Sequence, residues 1–238
     1  MMERLLHIEG MSIGHEGREL YGNICFDVHE GECIMLCGAN GSGKTTLLKS
    51  LMNGRDDICM IPSRVPKIPG FTLQEFIRIS CYNRSGPGGR ISPELEEDIK
   101  ETAITLGLGT MMDRDISTLS DGEFQKGCIA AALARKCSII MLDEPTAFLD
   151  AENRISVLEC LKEVCRTPVR TGVRPAVIFS THDLYYGLHV ADKVLALGAD
   201  SIFRQSSENM EDTVSSIFET FYNFGVHFKD HGKETIPD

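Results

Sequence analysis

Eight residues, Gly38-Ala39-Asn40-Gly41-Ser42-Gly43-Lys44-Thr45, combine three glycines, a lysine and two hydroxyls in a spacing suited to phosphate. The pattern is G-x-x-x-x-G-K-[ST], satisfied at every position. Glycines let a backbone curl so that successive N–H groups point inward at phosphate oxygens. A helix start adds partial positive charge. Gly38, Asn40, Gly41, Ser42 and Gly43 would form the cradle, with Lys44, Thr45 and Thr46 opening the helix. Lys44 would bring a full charge to the β- and γ-phosphates of a nucleotide such as ATP, and the Thr45 hydroxyl could ligate Mg²⁺.

A second chemical feature lies about a hundred residues on, in "SIIMLDEP". An apolar run ends in two adjacent carboxylates. Asp143 would hold Mg²⁺, directly or through water, and Glu144 would orient and deprotonate an attacking water. Adjacent acids at a strand end are a weak signal alone. Combined with the loop at 38–45, they make a phosphoryl-transfer site.

These groups need strands and helices to place them. "ECIMLC" before the loop is a short apolar run, as expected of a buried strand, and "TTLLKSLMNG" after it has helical character with a glycine stop. "SIIMLD", "AVIFST" and "DKVLAL" read as further buried strands, with an amphipathic helix near 152–165. Two early segments, "LLHIEGMSIG" and "GNICFDVHEG", read as strands separated by turns. From about residue 70 the pattern turns helical. Ser92-Pro93 opens a helix with Glu94, Glu96 and Glu97 favoured by the dipole, and Gly107 ends it. "STLSDGEFQKG" opens another, running to about Lys136. Ser120 followed three residues later by Glu123 is a capping box. A last helix near 212–222 places Val214, Ile217, Phe218 and Phe221 on one face. Alternating strands and helices predict an α/β fold with a mostly parallel sheet.

Composition narrows the function classes. The 238 residues are 42% hydrophobic and 25% charged, an ordinary globular balance. A net charge of −11 argues against a general nucleic-acid binder. Nine cysteines without a C-x-x-C pair read as reduced, buried thiols. No apolar run reaches the ~18 residues of a membrane span, and "MMERLLHIEG" is too short and charged for a secretory signal, so a cytoplasmic chain is expected.

The order of motifs resembles the ATP-binding cassette ATPases, over about residues 3–225. The family's signature, usually LSGGQ, is matched by Leu119-Ser120-Asp121-Gly122-Glu123. Its aspartate loop is matched by "TAFLD", ending in Asp150, and its switch histidine by His182 in "FSTHD". The resemblance implies a P-loop NTPase core, a mostly parallel sheet with flanking helices and an N-terminal antiparallel β part, with an inserted helical subdomain. One cassette would comprise a core at 1–69 and 138–209, the helical subdomain at 70–137, and a C-terminal helix and tail at 210–238. It also implies a mechanism. Two copies close head to tail around two ATP molecules, each between one subunit's phosphate loop and the other's signature helix, with Mg²⁺ as cofactor. His182 would contact the γ-phosphate, and Asp150 would link the two sites.

Two positions depart from the family pattern. The adenine-stacking aromatic falls on His15, with Tyr21 as a substitute. The glutamine that senses Mg²⁺ falls on Ser63, since Gln74 lies too far along. The segments "IPGFTLQEFI" and "IFETFYNFGVHFKDHGK" resemble the importer ATPases for iron-siderophore, haem and cobalamin. That branch implies a subunit on the inner face of the cell membrane, docked on a permease and served indirectly by a substrate-binding protein, with no nucleic-acid partner. The alternatives are a soluble cassette ATPase without a permease, for instance in iron–sulfur cluster assembly, and an ATP-dependent switch that hydrolyses little.

Overall fold

A computed structural model describes residues 2–15, 17–82, 91–168, 172–198, 201 and 203–222; the side chains of His15 and of 217–222 are outside it. The chain opens with a two-stranded antiparallel ribbon, β1 (Arg4–His15) and β2 (Arg18–His29). A six-stranded sheet follows, built from β3 (Cys33–Gly38), β4 (Ile58–Ile61), β5 (Ile139–Leu142), β6 (Ala176–Ser180), β7 (Lys193–Leu197) and β8 (Phe203–Ser206). Its order is β4-β5-β6-β3-β7-β8, parallel except for β8.

Period-two alternation in the buried strands sends side chains to two separate cores. Ile34 and Leu36 of β3 and Ile139 and Met141 of β5 pack with Ile24, Phe26 and Val28 of the ribbon. Cys33, Met35 and Cys37, with Ile140 and Leu142, face the other side. There they join a core that runs without a break into the helices, from Val177 and Leu161 through Ile129 to Leu73 and Ile99. The helical segment therefore shares its core with the sheet. All nine cysteines are free and eight are buried, as the composition suggests.

Between β4 and β5 lie α2 (Leu73–Ser80), α3 (Pro93–Thr105) and α4 (Asp121–Ala134); α1 (Lys44–Leu51) follows the phosphate loop. Helix α2 starts with a Thr72–Glu75 capping box, and α3 with Ser92 accepting from the Leu95 amide and Pro93 in its first turn. Helix α4 packs against α2, α3 and α5 (Ala151–Arg166), which is why its C-terminal half, Cys128 to Ala134, is apolar and buried all round, with four alanines. It ends at Ala134, short of the expected Lys136, because Lys136 takes a left-handed φ of 58°. Helix α6 (Leu184–Val190) and the closing α7 (Met210–Tyr222) complete the layer. Val214 of α7 is fully buried; the side chains of Ile217, Phe218 and Phe221, and all residues beyond 222, fall outside the described set.

Strands β4 and β8 and helix α6 are additions to the sequence reading. The four residues of β4 stand between Asp56-Asp57 and Pro62, too short a run to declare a period. Their pairing with β5 decides the matter, Cys59 against Ile140 and Ile61 against Leu142.

Candidate functional site

The parallel strands end along one edge, and that edge collects the chemical groups. Strand β3 runs into the loop at 38–43, and α1 begins at Lys44. Gly43 caps α1 with φ 100°, a left-handed conformation that a side chain would oppose. No side chain caps this helix, and no acid stands in its first turn. The Lys44 side chain is 6% exposed, and its ammonium donates to the carbonyls of Gly38 (3.0 Å) and Ala39 (3.2 Å). Burial pulls the Lys44 pKa below its ordinary value, while Glu144 and Asp143 pull it back up. Among the described residues, the buried Ser42 Oγ has no hydrogen-bond partner. A buried hydroxyl without a partner costs about 1–3 kcal/mol, a cost that a bound phosphate oxygen would remove.

Beside the loop, a chain of hydrogen bonds links five residues from three segments. Thr45 Oγ1 donates to Asp143 Oδ2 at 2.7 Å. Ser180 Oγ donates to Asp143 Oδ1 at 2.8 Å and accepts from the Glu144 amide at 2.8 Å. Glu144 Oε1 shares a 2.6 Å hydrogen bond with His182 Nε2. The Lys44 ammonium Nζ and Glu144 Oε1 are 4.0 Å apart. Asp143 is buried, while Glu144 and His182 reach solvent at 28% and 43% exposure. Glu144 holds a left-handed φ of 50°, a strained position for a non-glycine residue. The Ser180 bond to its amide helps fix that turn.

Ser180 had no part in the sequence reading. Its only trace there is a hydroxyl at the end of the apolar run "AVIFS", and it is fully buried. A buried polar group at a strand end demands partners, and here the partners are the acidic pair.

The signature residues lie on a different element. Ser120 caps α4, accepting from the Glu123 amide at 3.1 Å, and the Glu123 carboxylate returns to the Ser120 amide at 2.7 Å. Those bonds to Ser120 hold the Glu123 carboxyl below the usual carboxylate range, helped by Arg114 and Lys67. Asp121 receives Lys67 Nζ at 2.7 Å, a partner the sequence did not suggest. Gly122 is buried against α5, and a Cβ there would run into the Asn153 side chain. Asp150 caps α5 through the Asn153 amide at 2.8 Å and side chain at 2.9 Å. Among the described residues, no hydrogen bond or ion pair joins 119–123 to the chain's own phosphate loop.

The departures from the family pattern resolve unevenly. Ser63 lies just past β4, exposed, and lines a cavity of about 430 Å³ that also reaches Lys67, Asp121, Glu144 and Phe148. Gln74 lies in α2 and donates to Glu96 at 2.7 Å, away from the site. The His15 backbone ends β1, and its side chain lies outside the described residues. Tyr21 is 4% exposed with its hydroxyl on the Gly198 carbonyl at 2.8 Å, so it is a core residue and not an adenine platform.

A parallel sheet with a glycine-rich loop leading from β3 into α1, an acidic pair past the end of β5, two strands away, and a helical insertion between β4 and β5 defines the P-loop nucleoside-triphosphatase class. A sequence model described as ABC transporter matches residues 21–147, more than half of the chain. The achromobactin transport ATP-binding protein of Dickeya dadantii (strain 3937) is 26% identical over 220 residues, covering 83% of this chain and 80% of that protein. The iron(3+)-hydroxamate import ATP-binding protein of Bacillus subtilis (strain 168) is 25% identical over 226 residues, covering 85% and 82%. Among solved structures, an ABC transporter in an inward-facing conformation superposes with a TM-score of 0.79 at 22% identity, over 91% of this chain and 90% of that one. The chain belongs to the ABC transporter family. It is an ATP-binding ATPase subunit.

Proposed function

We propose that this ATPase energises a membrane permease that imports a metal chelate of the iron-siderophore, haem or cobalamin type. The relatives named for achromobactin and iron hydroxamate support the substrate class. No helix among the described residues is long and apolar enough to cross a membrane, so coupling would run through a docked partner. Ile68 and Phe71 before α2, Ile79 on it and Tyr82 just past its end offer exposed apolar surface for it. A subunit of this kind works on the cytoplasmic face of the membrane and as a pair of identical chains.

The observation that carries the catalytic reading is the hydrogen-bonded chain Thr45–Asp143–Ser180–Glu144–His182 beside Lys44. Backbone amides at 38–45 and the Lys44 ammonium bind the β- and γ-phosphates of ATP. The Glu144 carboxylate accepts a proton from water as the water oxygen bonds to the γ-phosphorus and the bond to the β-phosphate oxygen breaks. ADP and phosphate result. His182 fixes the Glu144 carboxylate and reaches the γ-phosphate. Hard oxygen donors at Thr45 and Asp143 fit Mg²⁺, which would neutralise phosphate charge. No three His, Cys, Asp or Glu among the described residues cluster to hold a metal by themselves, so phosphate oxygens would complete its shell.

Ser120 and the Gly122 amide meet the γ-phosphate held by the other copy, and Asp150 lies at that junction. The test is purification of the tagged chain from detergent-solubilised membranes, with uptake of ferric siderophore, haem and cobalamin measured in cells lacking it. Co-purification of a multi-spanning protein and loss of uptake of one of these chelates are expected. A chain recovered free of membrane protein, with all three uptakes intact, would sink the proposal.

A further inference from the structure

The first turn of α4 carries two acids where an anion must approach, and the fold answers from a distant segment. Glu123 is turned back onto the Ser120 amide at 2.7 Å, with Arg114 Nη1 at 3.6 Å. Asp121 has no such local outlet. Its partner is Lys67, 54 residues earlier, on the segment joining β4 to α2. Lys67 Nζ donates to Asp121 Oδ1 at 2.7 Å and to the Leu119 carbonyl at 2.7 Å, and lies 5.6 Å from the Phe124 ring centre. One ammonium thus engages two residues of the signature and the ring that follows it. The lysine side chain is 23% exposed and the aspartate 67%, so the cation is the anchored member of the pair.

We infer that Lys67 is a positioning residue of the ATPase cycle: it neutralises Asp121 and draws that carboxylate towards the β4–α2 segment, clearing the Ser120–Gly122 turn for the partner's γ-phosphate. The inference rests on the head-to-tail reading proposed above. An uncompensated carboxylate in this turn would repel a triphosphate, because like charges a few ångströms apart oppose each other strongly at a closing interface. An ordinary exposed ion pair would contribute little. The extra bond to the Leu119 carbonyl and the contact with Phe124 fix this ammonium in a way that a free surface lysine is not fixed. The same segment bears Ser63, and both residues line the cavity that reaches Glu144, so the segment touches the site from two sides.

The experiment measures ATP-driven pairing by light scattering in a Glu144→Gln background, where hydrolysis is slow. Lys67→Met should raise the ATP concentration for half-maximal pairing about tenfold, with a smaller penalty in high salt because screening weakens the repulsion. Binding of a fluorescent ATP analogue to dilute single subunits should not change. Lys67→Arg should pair within about threefold of the parent, since it keeps the charge, and so should Lys67→Met combined with Asp121→Asn, which removes the uncompensated anion. Pairing of Lys67→Met like the parent would overturn the inference. A double variant as weak as Lys67→Met alone would also overturn it, because Lys67 would then act only through the Leu119 carbonyl. If the Glu144→Gln parent itself fails to pair at saturating ATP and Mg²⁺, the head-to-tail reading falls and takes the inference with it. A parent that pairs isolates any failure to Lys67.

Discussion

Two helix starts in this molecule are built for opposite conditions. At α1 the cap is Gly43, no side chain bonds the free amides, and the first turn holds a lysine and no acid. At α4 the cap is Ser120 in a full capping box, and the first turn holds Asp121 and Glu123. The first leaves its amides bare and its Ser42 hydroxyl without a partner, a start that is incomplete until an anion arrives. The second is complete by itself. Its acids are satisfied by Ser120, Arg114 and Lys67 before anything binds. Under the function proposed above, α1 would hold the nucleotide within one subunit and α4 would meet it only when two copies close.

The largest effect should follow from damage to the bare start. Lys44→Ala removes the one buried cation among the phosphate-loop residues, and ATP affinity should fall by about a hundredfold or more, the scale of a charge-assisted hydrogen bond lost from a buried site. A nucleotide titration by calorimetry checks this. Unchanged affinity would remove the loop from the site.

Next comes the support beneath the acids. Ser180→Ala deprives Asp143 of a donor and Glu144 of the acceptor for its amide. Turnover should fall about tenfold with ATP affinity nearly unchanged, because a lost buried hydrogen bond costs roughly 1–3 kcal/mol and here falls on positioning. Steady-state kinetics alongside the same titration separate the two quantities.

The smallest effect belongs to the self-satisfied start. Glu123→Ala breaks half of the capping box and should lower stability by about 0.5–1 kcal/mol at neutral pH. Its sign with pH follows from the lowered Glu123 pKa. A carboxylate depressed below its ordinary 4.5 contributes stability that is present above 4.5 and is lost as pH falls through the lower folded value. The gap in thermal midpoint between Glu123→Ala and the parent should therefore close in acid. A gap that persists at low pH would show that the carboxylate charge is not what the cap uses. The first turn of α1 has no carboxylate of its own to titrate in this way.

The contrast between the two starts also marks what could be read from the sequence. The loop at 38–45 and the pair Asp143-Glu144 are local patterns, with their strands and helix written beside them. The Ser120–Glu123 box was legible for the same reason, since both partners stand within one turn. Ser180 and Lys67 were not. Ser180 reaches Asp143 across 37 residues and Lys67 reaches Asp121 across 54, and only the parallel pairing of β5 with β6 and the packing of the β4–α2 segment on α4 bring them together. Strand β4 escaped for a related reason: four apolar residues become a strand only when β5 is there to pair with. Tyr21, the lesser alternative to His15, shows the converse. Its residue type suits an adenine platform, but the ribbon turns it inward to the Gly198 carbonyl.

In the proposed cycle, the bare start of one copy and the complete start of another close on the same ATP. Light scattering of Glu144→Gln with ATP and Mg²⁺ tests it most directly. The expected result is a shift from the 26.3 kDa of one chain to twice that mass, dependent on ATP and reversed on its removal. A mass that stays at one chain under saturating ATP and Mg²⁺ would contradict it.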